Sequence, residues 1–381
     1  MKVTGPVGSL GGIPTAVPAM GEFGAPAASR SPASTPTPGT AKVVASVSVG
    51  TTPYGVAYDA GRGEVFVTNG GSNDVSVISD RTNKIVATVS VGATPSAATY
   101  DPVKGEVFVA NYNSNTVSVI RDSTKSVVAT VAVGSQPNGL CYDRARGEVF
   151  VADSGSGNVS VIDDSTNRTV ASVTVGNAPN GLAYDSGKGE VWVTNRASNN
   201  VSVINDLTNR VVKYIGVGSA PPGAAYDAAT GTVLVTNSGS SNVSVLSDTT
   251  DSVLATVPVG AYPYGVTVDV THGEVFVANS NSNNVSVFRA ANLARLPAVN
   301  VGHQPSRLAY DSGRGEVFVG NEQSDTVSVI SDHALTVVSR SYSGTLYVNA
   351  LVSVKTVVLL DLARVNGSQF LVLYNAATNS S

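Results

Sequence analysis

The sequence predicts an all-β fold, a seven-bladed β-propeller in which every blade is a four-stranded antiparallel sheet. The segment GEVFVTN at residues 63–69 recurs in similar form every 42 residues, without insertion or deletion, in seven copies along the 381-residue chain. Each copy belongs to a unit with four short stretches of alternating apolar and polar residues, separated by turn-forming residues. A period of about 40 with four strands per unit is typical of a propeller, because single blades bury their faces only by stacking in a closed ring.

The strands of one unit are predicted from the first copy, where they cover residues 55–58, 64–67, 75–78 and 85–89. The first two are joined by the segment DAGRG, which favours a tight turn because aspartate caps the backbone and glycine tolerates positive φ. This aspartate recurs in phase, and we predict a turn-forming role for all seven copies: Asp59, Asp101, Asp143, Asp185, Asp227, Asp269 and Asp311.

Ring closure is predicted from an eighth candidate for the fourth strand. Residues 43–49 match the fourth-strand pattern well, whereas the C-terminal equivalent at residues 337–344 keeps its glycine and loses most of the alternation. We therefore expect residues 43–49 to complete the last blade beside residues 327–330. Such an N-terminal strand removes the free edge at which another chain could pair.

Three regions follow from this pattern. Residues 1–40 are rich in Pro, Ala and Ser, and are predicted to be a disordered arm without a visible secretory signal peptide. Residues 41–343 form the propeller. Residues 344–381 are predicted to be an irregular tail with possible short strands in the stretch 345–360, where Asn349, Ser353 and Lys355 argue against a membrane span.

Composition limits the classes of function that the sequence supports. Only 13% of the residues are charged and the net charge is −4, and no run of basic residues occurs, so the sequence has no strong signal for nucleic-acid binding. The single cysteine, Cys141, excludes an internal disulfide and is predicted to be a small buried strand residue. His272 and His333 are predicted on the face opposite to His303, so no convergent metal or haem site is expected and no cofactor is assigned.

The candidate site comes from positions where the repeat varies. In a propeller the loops from fourth to first strand and from second to third strand open on one face around the central channel. Arg307 stands there where the other units have glycine or alanine. Aromatic and amide side chains suit contacts to sugars or peptides. The predicted ligand-binding residues are Tyr54, Tyr112, Asn138, Asn180, Arg196, Tyr264, His303, Arg307 and Glu322.

The second-strand segments resemble a known repeat. FVTN at residues 66–69 returns as WVTN at 192–195 and LVTN at 234–237; together with the Val-Gly-x-x-Pro turn, these segments resemble the YVTN β-propeller repeat family over residues 43 to about 334. No copy carries the tyrosine of that family. The resemblance implies a seven-bladed propeller of the kind found in archaeal surface-layer and bacterial periplasmic proteins. Related propellers occur in haem-d1 proteins and in NHL-type lyases and lactonases.

Three functions remain open at this point. The first is a non-enzymatic scaffold or recognition module at the cell surface or outside the cytoplasm, a monomer or part of a larger assembly, that binds a protein or glycan partner of the cell envelope. The second is a metal-dependent lyase or lactonase at the channel mouth, for which Glu322 and Asp153 are the candidate acids. The third is a binder of small molecules or single-stranded nucleic acid, which the tyrosines favour and the acidic balance does not. The first is preferred, and no catalytic residue is assigned.

Overall fold

The fold is a ring of seven four-stranded antiparallel sheets, as the sequence predicts. The computed structural model describes residues 41–331 in full, together with the backbone of two further strands at residues 358–365 and 368–375. The predicted disordered arm at residues 1–40 lies outside the described residues. Within the described part all regular elements are strands.

Blades 1 to 6 each take their four strands from one continuous 42-residue unit, so strand order in space equals strand order in the chain. Blades 1 to 3 comprise β2–β5 (Pro53–Asp59, Glu64–Asn69, Asp74–Ser79, Lys84–Ser90), β6–β9 (Pro95–Asp101, Glu106–Asn111, Thr116–Arg121, Ser126–Ala132) and β10–β13 (Pro137–Asp143, Glu148–Asp153, Asn158–Asp163, Arg168–Thr174). Blades 4 to 6 comprise β14–β17 (Pro179–Asp185, Glu190–Asn195, Asn200–Asn205, Arg210–Gly216), β18–β21 (Gly223–Asp227, Thr232–Asn237, Asn242–Ser247, Ser252–Pro258) and β22–β25 (Pro263–Asp269, Glu274–Asn279, Asn284–Arg289, Arg295–Asn300).

Blade 7 joins the two ends of the ring. Its strands are β26–β28 (Pro305–Asp311, Glu316–Asn321, Thr326–Ser331) and β1 (Lys42–Ser48). Strand β1 pairs antiparallel with β28, and Val47 lies opposite Val327. The closure predicted from the repeat pattern is confirmed.

The hydrophobic core lies between neighbouring blades. Phe66 and Val75 of blade 1 pack in one cluster with Val107 and Ile120 of blade 2, and all four are fully buried. Equivalent clusters join the other blades, which is why a single blade has no core of its own. Cys141 is a buried free cysteine in β10, as predicted.

The face opposite the predicted site is held by turns and inter-blade polar contacts. Oδ1 of Asp59 accepts hydrogen bonds from the backbone amides of Gly61 (2.8 Å) and Arg62 (3.1 Å), which confirms its turn-forming role. Contacts between blades follow the same period: the Lys104 ammonium of blade 2 lies 2.7 Å from the Asp164 carboxylate of blade 3. These contacts link adjacent blades on that face.

The C-terminal segment contains a hairpin in the described part. Strand β29 (Val358–Val365) pairs antiparallel with β30 (Ser368–Asn375). The predicted tail strands at residues 345–360 overlap β29 only at its start, and residues 332–357 lie outside the described residues. The described part of the chain contains no helix that is long and apolar enough to cross a membrane.

Candidate functional site

The site lies on the face where the first strand of each blade begins and the second strand ends. In blade 1, Pro53 at the start of β2 pairs with Asn69 at the end of β3. The residues that follow these two positions, Tyr54 and Gly70, therefore belong to one edge of the blade. The sevenfold repeat places the equivalent residues of the other blades around the same channel mouth.

A cavity of about 440 Å³ opens on this face. Aromatic, hydroxyl, amide and charged side chains contribute to its wall, together with the two glycines of blade 1. Its lining consists of Thr52, Tyr54, Gly70, Gly71, Thr94, Pro95, Ser96, Tyr112, Asn138, Arg196, Tyr264 and Glu322. Six of the nine residues predicted from the sequence are among them, namely Tyr54, Tyr112, Asn138, Arg196, Tyr264 and Glu322.

Two tyrosines from different blades meet at the cavity. The hydroxyl groups of Tyr54 and Tyr264 are hydrogen-bonded to each other, and their rings pack edge to face with centroids 5.4 Å apart. The Tyr264 hydroxyl also donates to Oδ1 of Asn180 at 3.4 Å. Burial, reinforced by the neighbouring Tyr264, raises the pKa of Tyr54 well above its usual range. Tyr54 is therefore a neutral donor and acceptor at physiological pH.

Arg307 connects the two tyrosines to side-chain amides on the other side of the ring. Its Nη2 donates to Oδ1 of Asn138 at 2.9 Å and to Oδ1 of Asn180 at 3.4 Å. The guanidinium carbon lies 5.8 Å from the ring centroid of Tyr54 and 5.7 Å from that of Tyr264, within the range of a cation–π contact. We call Tyr54, Asn138, Asn180, Tyr264 and Arg307 the central cluster. It joins blades 1, 3, 4, 6 and 7.

A glycine in blade 6 lets the backbone of blade 7 approach closely at Arg307. The first strands approach closely around the channel, and a Cβ added at Gly265 of blade 6 would lie 2.8 Å from the Cα of Arg307. Real Cβ atoms essentially never come so near, so this position of blade 6 excludes larger residues. The arginine Nε is buried and has no hydrogen-bond partner among the described residues.

The two charged residues in the cavity wall have opposite signs. The Arg196 guanidinium, in blade 4, donates to the Tyr262 hydroxyl and lies 6.0 Å from that ring centroid. Glu322, in blade 7, is partly buried, and burial raises the pKa of its carboxyl to about 7 against the opposing effect of Arg307. The cavity therefore presents a permanent positive charge on Arg196 and, on Glu322, a carboxyl group that is about half ionised near neutral pH.

The remaining predicted residues lie elsewhere. The His303 side chain is exposed and outside both the cavity wall and the central cluster, while its backbone amide donates to Oγ of Ser324 at 2.7 Å. Asp153, one of the two candidate acids of the enzyme hypothesis, is fully buried in blade 3 and accepts hydrogen bonds from Ser160 (2.7 Å) and Asn158 (3.1 Å). Burial raises the pKa of Asp153 to about 6.

Thr52 and Thr94 line the cavity and were not predicted from the sequence. Each stands directly before the repeated proline, at a position that varies among the units, so the same search for variable positions could have found them. Among the described residues, no three His, Cys, Asp or Glu side chains lie close enough together to hold a metal ion.

Comparison with known proteins supports the fold. No protein-family model matches the sequence, and no curated protein matches it. Among solved structures, the chain is similar to hydrazine synthase of Kuenenia stuttgartiensis, with 19% sequence identity and a TM-score of 0.67 over 73% of this chain and 95% of that chain. At this identity the similarity shows the fold alone. The resemblance to the YVTN repeat family stays a prediction.

Proposed function

We propose that this protein is a non-enzymatic recognition module whose rigid ring presents one binding cavity at the channel mouth. The observation that carries the proposal is the cavity of about 440 Å³, lined by tyrosines, hydroxyls, an amide and two opposite charges. Its size falls within the range of about 300–1,000 Å³ typical of small-ligand sites. A site of this composition binds by stacking on aromatic rings and by directed hydrogen bonds.

The central cluster gives the site its rigidity. The hydroxyls of Tyr54 and Tyr264 are hydrogen-bonded to each other. Arg307 donates hydrogen bonds to two side-chain amides in blades 3 and 4, on the other side of the ring. A preorganised wall loses little side-chain entropy when a ligand binds, which raises affinity for a given contact area. The ring itself serves as the scaffold that keeps these five side chains in place.

The partner is proposed to be a glycan or protein of the cell envelope, met at the cell surface or outside the cytoplasm by a monomer or by a module of a larger assembly. The resemblance of the second-strand segments to YVTN repeats supports this setting. The few charged residues and the net charge of −4 make an extended nucleic-acid partner a poorer candidate.

Binding of the full chain to glycan and peptide arrays tests the proposal. Tyr112 lines the cavity, whereas Val103 is 62% exposed in a turn on the opposite face and serves as the matched control. We expect Tyr112→Ala to weaken binding about tenfold, the effect of losing one aromatic contact of about 1.4 kcal/mol. Val103→Ala should bind like the parent. Absence of binding on both arrays, or equal losses in the two variants, would contradict the proposal.

A second candidate, an enzyme, is favoured by one observation. The Glu322 carboxyl has a pKa of about 7 in a cavity wall, and such a group suits proton transfer near neutral pH. Melting temperatures of the full chain with EDTA, calcium, magnesium and zinc test the metal-dependent form of this hypothesis. A metal present at about 100 times its dissociation constant adds about 2.7 kcal/mol. A shift that EDTA reverses, and that Glu322→Gln abolishes, would favour the enzyme.

A further inference from the structure

One repeat position forms a ring of side chains around the channel mouth. It is the residue that directly follows the second strand of each blade. In order of blades the position holds Gly70, Tyr112, Ser154, Arg196, Ser238, Ser280 and Glu322. Only the fourth and seventh members are charged, they have opposite signs, and both line the cavity. Because they are three blades apart in a ring of seven, they approach the cavity from opposite sides.

The three serines at this position are hydrogen-bonded within the protein. The hydroxyls of Ser154 and Ser238 each donate to a backbone carbonyl at 2.8 Å, and that of Ser280 donates to the carbonyl of Pro305 at 2.7 Å. These serines therefore have a structural partner. Arg196 and Glu322 are the charged exceptions at this position, and Tyr112 is its other large side chain.

Neither charge belongs to an ion pair within the described residues. The ion pairs found there, such as Arg62–Asp122 at 3.3 Å and Lys104–Asp164 at 2.7 Å, lie on the opposite face. Arg196 contacts the neutral Tyr262, and Glu322 interacts only at longer range with Arg307, which is itself bonded to two amides. A partly buried charge without a counter-charge costs free energy, and a ligand that brings the counter-charge recovers it.

We propose that the cavity binds a small zwitterion with separated charges, a short peptide with both termini charged, with its ammonium group at Glu322 and its carboxylate at Arg196. A guanidinium matches a carboxylate with two parallel hydrogen bonds. Tyr54 and Tyr112 line the wall between the charged ends and contact the body of the ligand. This inference rests on the proposed binding function and names the ligand class of that site.

Proton release accompanies this mode of binding. Glu322 is about half protonated near pH 7 in the free protein. An ammonium group beside the carboxyl favours its ionised form, so binding lowers the pKa of Glu322 and releases a proton. An anionic ligand without an amine would have no such effect on Glu322.

The probes are alanine peptides of two to four residues, each prepared free, N-acetylated and C-amidated. Calorimetric titration of the full chain at pH 7, in buffers of different ionisation enthalpy, gives affinity and proton release together. We expect at least one free peptide to bind about tenfold or more tightly than both of its capped forms, since each cap removes one charge. That peptide should release protons on binding.

Crossed variants assign each end of the ligand. Glu322→Gln should abolish the preference for a free amine and the proton release while keeping the preference for a free carboxylate. Arg196→Gln should do the reverse. Arg144→Gln, at an exposed position in a turn on the opposite face, should behave like the parent.

The outcomes separate this inference from the proposed function. Equal affinity of free and capped peptides overturns the zwitterion. So does a chain that binds a glycan or protein on the arrays and none of the free peptides, although the recognition function then stands. A chain that binds neither the peptides nor any array partner contradicts both.

Discussion

Arg307 of blade 7 donates a 2.9 Å hydrogen bond to Oδ1 of Asn138 in blade 3, on the other side of the ring. Repeat proteins of this kind are otherwise held by contacts between neighbouring repeats. Here the first strands come close enough around the channel for one long side chain to cross it. The site and the stability of the ring are therefore coupled through the same residue.

Replacing Arg307 tests this coupling. Arg307→Met keeps much of the apolar length and removes the hydrogen bonds to Asn138 and Asn180 together with the cation–π contacts. We expect a loss of about 1–3 kcal/mol in the free energy of unfolding, measured with urea, because the Asn138 amide oxygen loses its donor and that of Asn180 keeps only the Tyr264 hydroxyl. Since Arg307 lowers the pKa of Glu322, the same variant should raise that pKa above about 7.

The pKa of Glu322 can be followed by NMR titration of its side-chain carboxyl carbon. Arg295→Met, at an exposed position of β25, is the control and should change neither quantity. An unchanged Glu322 pKa in Arg307→Met would show that the two groups do not interact in solution.

Asp153 provides a second test, independent of the cavity. It occupies the position that is asparagine in the other six blades, and Asn195 of blade 4 shows the usual contacts: its Nδ2 donates to Ser202 and Asn200, both at 2.8 Å. Asp153→Asn should restore these contacts in blade 3 through Ser160 and Asn158. It also removes a buried negative charge.

The pH dependence of this substitution has a definite sign. Because the folded-state pKa of Asp153 is raised from 3.8 to about 6, ionisation destabilises the fold. The stability associated with this carboxyl is present below about pH 4, declines as the pH rises towards 6, and is absent above it. Asp153→Asn should therefore add about 1–3 kcal/mol at pH 7, from 1.4 kcal/mol for each pKa unit, and close to nothing at pH 4.

Urea unfolding of parent and variant at pH 4 and pH 7 measures the difference. Asn195→Asp is the matched control in blade 4, and it should lose stability at pH 7 and much less at pH 4. A gain for Asp153→Asn that is the same at both pH values would show that lost hydrogen bonds, and not the buried charge, set the stability.

The blades and their closure could be predicted from the sequence because a repeat without insertions fixes strand register and strand number together. Residues 43–49 were expected to close the ring, and β1 covers Lys42–Ser48. The turn role of Asp59 followed from local chemistry alone. These features depend on residues that are near each other in the chain or related by the 42-residue period.

The central cluster could be predicted only as a set of positions. The sequence placed Tyr54, Tyr264 and Arg307 at one face, but which side chains meet across the channel depends on its width and on the length of each side chain. His303 was chosen by the same criterion, and its side chain is exposed. The near-neutral pKa of Glu322 likewise results from burial, which no local sequence pattern encodes.

Among the described residues, the junction between blades 5 and 6 has no counterpart of the ion pairs that join blades 1 and 2 and blades 2 and 3. Lys104 of blade 2 pairs with Asp164 of blade 3 at 2.7 Å, and the equivalent residues in blades 5 and 6 are Thr230 and Ala290. The backbone is conserved: the amide of Ala290 donates to Gly273, as that of Asp164 donates to Gly147. A pair introduced at this junction should therefore adopt the geometry seen in blades 2 and 3.

We expect the double substitution Thr230→Lys with Ala290→Asp to be more stable than the sum of its single variants. The coupling should be about 0.2–1 kcal/mol, the range for a partly exposed ion pair, and it should shrink in high salt. A double-mutant cycle from urea unfolding measures it. Zero coupling at low salt would show that the two side chains do not meet.

Strand β1 is expected to keep the ring closed. Substitutions at two of its valines distinguish the effect of burial from that of strand propensity. Val47 is 7% exposed and packs in the cluster between blades 7 and 1, whereas Val44 of the same strand is 46% exposed. Val47→Asp should cost about 3 kcal/mol or more, because it buries an unpaired carboxylate and leaves a void in that cluster. Val44→Asp should cost less than about 1 kcal/mol, the span of strand propensities.

Truncation extends the same test to the whole strand. Removing residues 1–49 deletes β1 and leaves β28 as a free edge, while removing residues 1–40 leaves β1 intact. The shorter chain should melt at a lower temperature and self-associate through the exposed edge of blade 7, which light scattering detects. If both truncations melt together and Val47→Asp is as stable as Val44→Asp, the ring does not depend on β1 for closure.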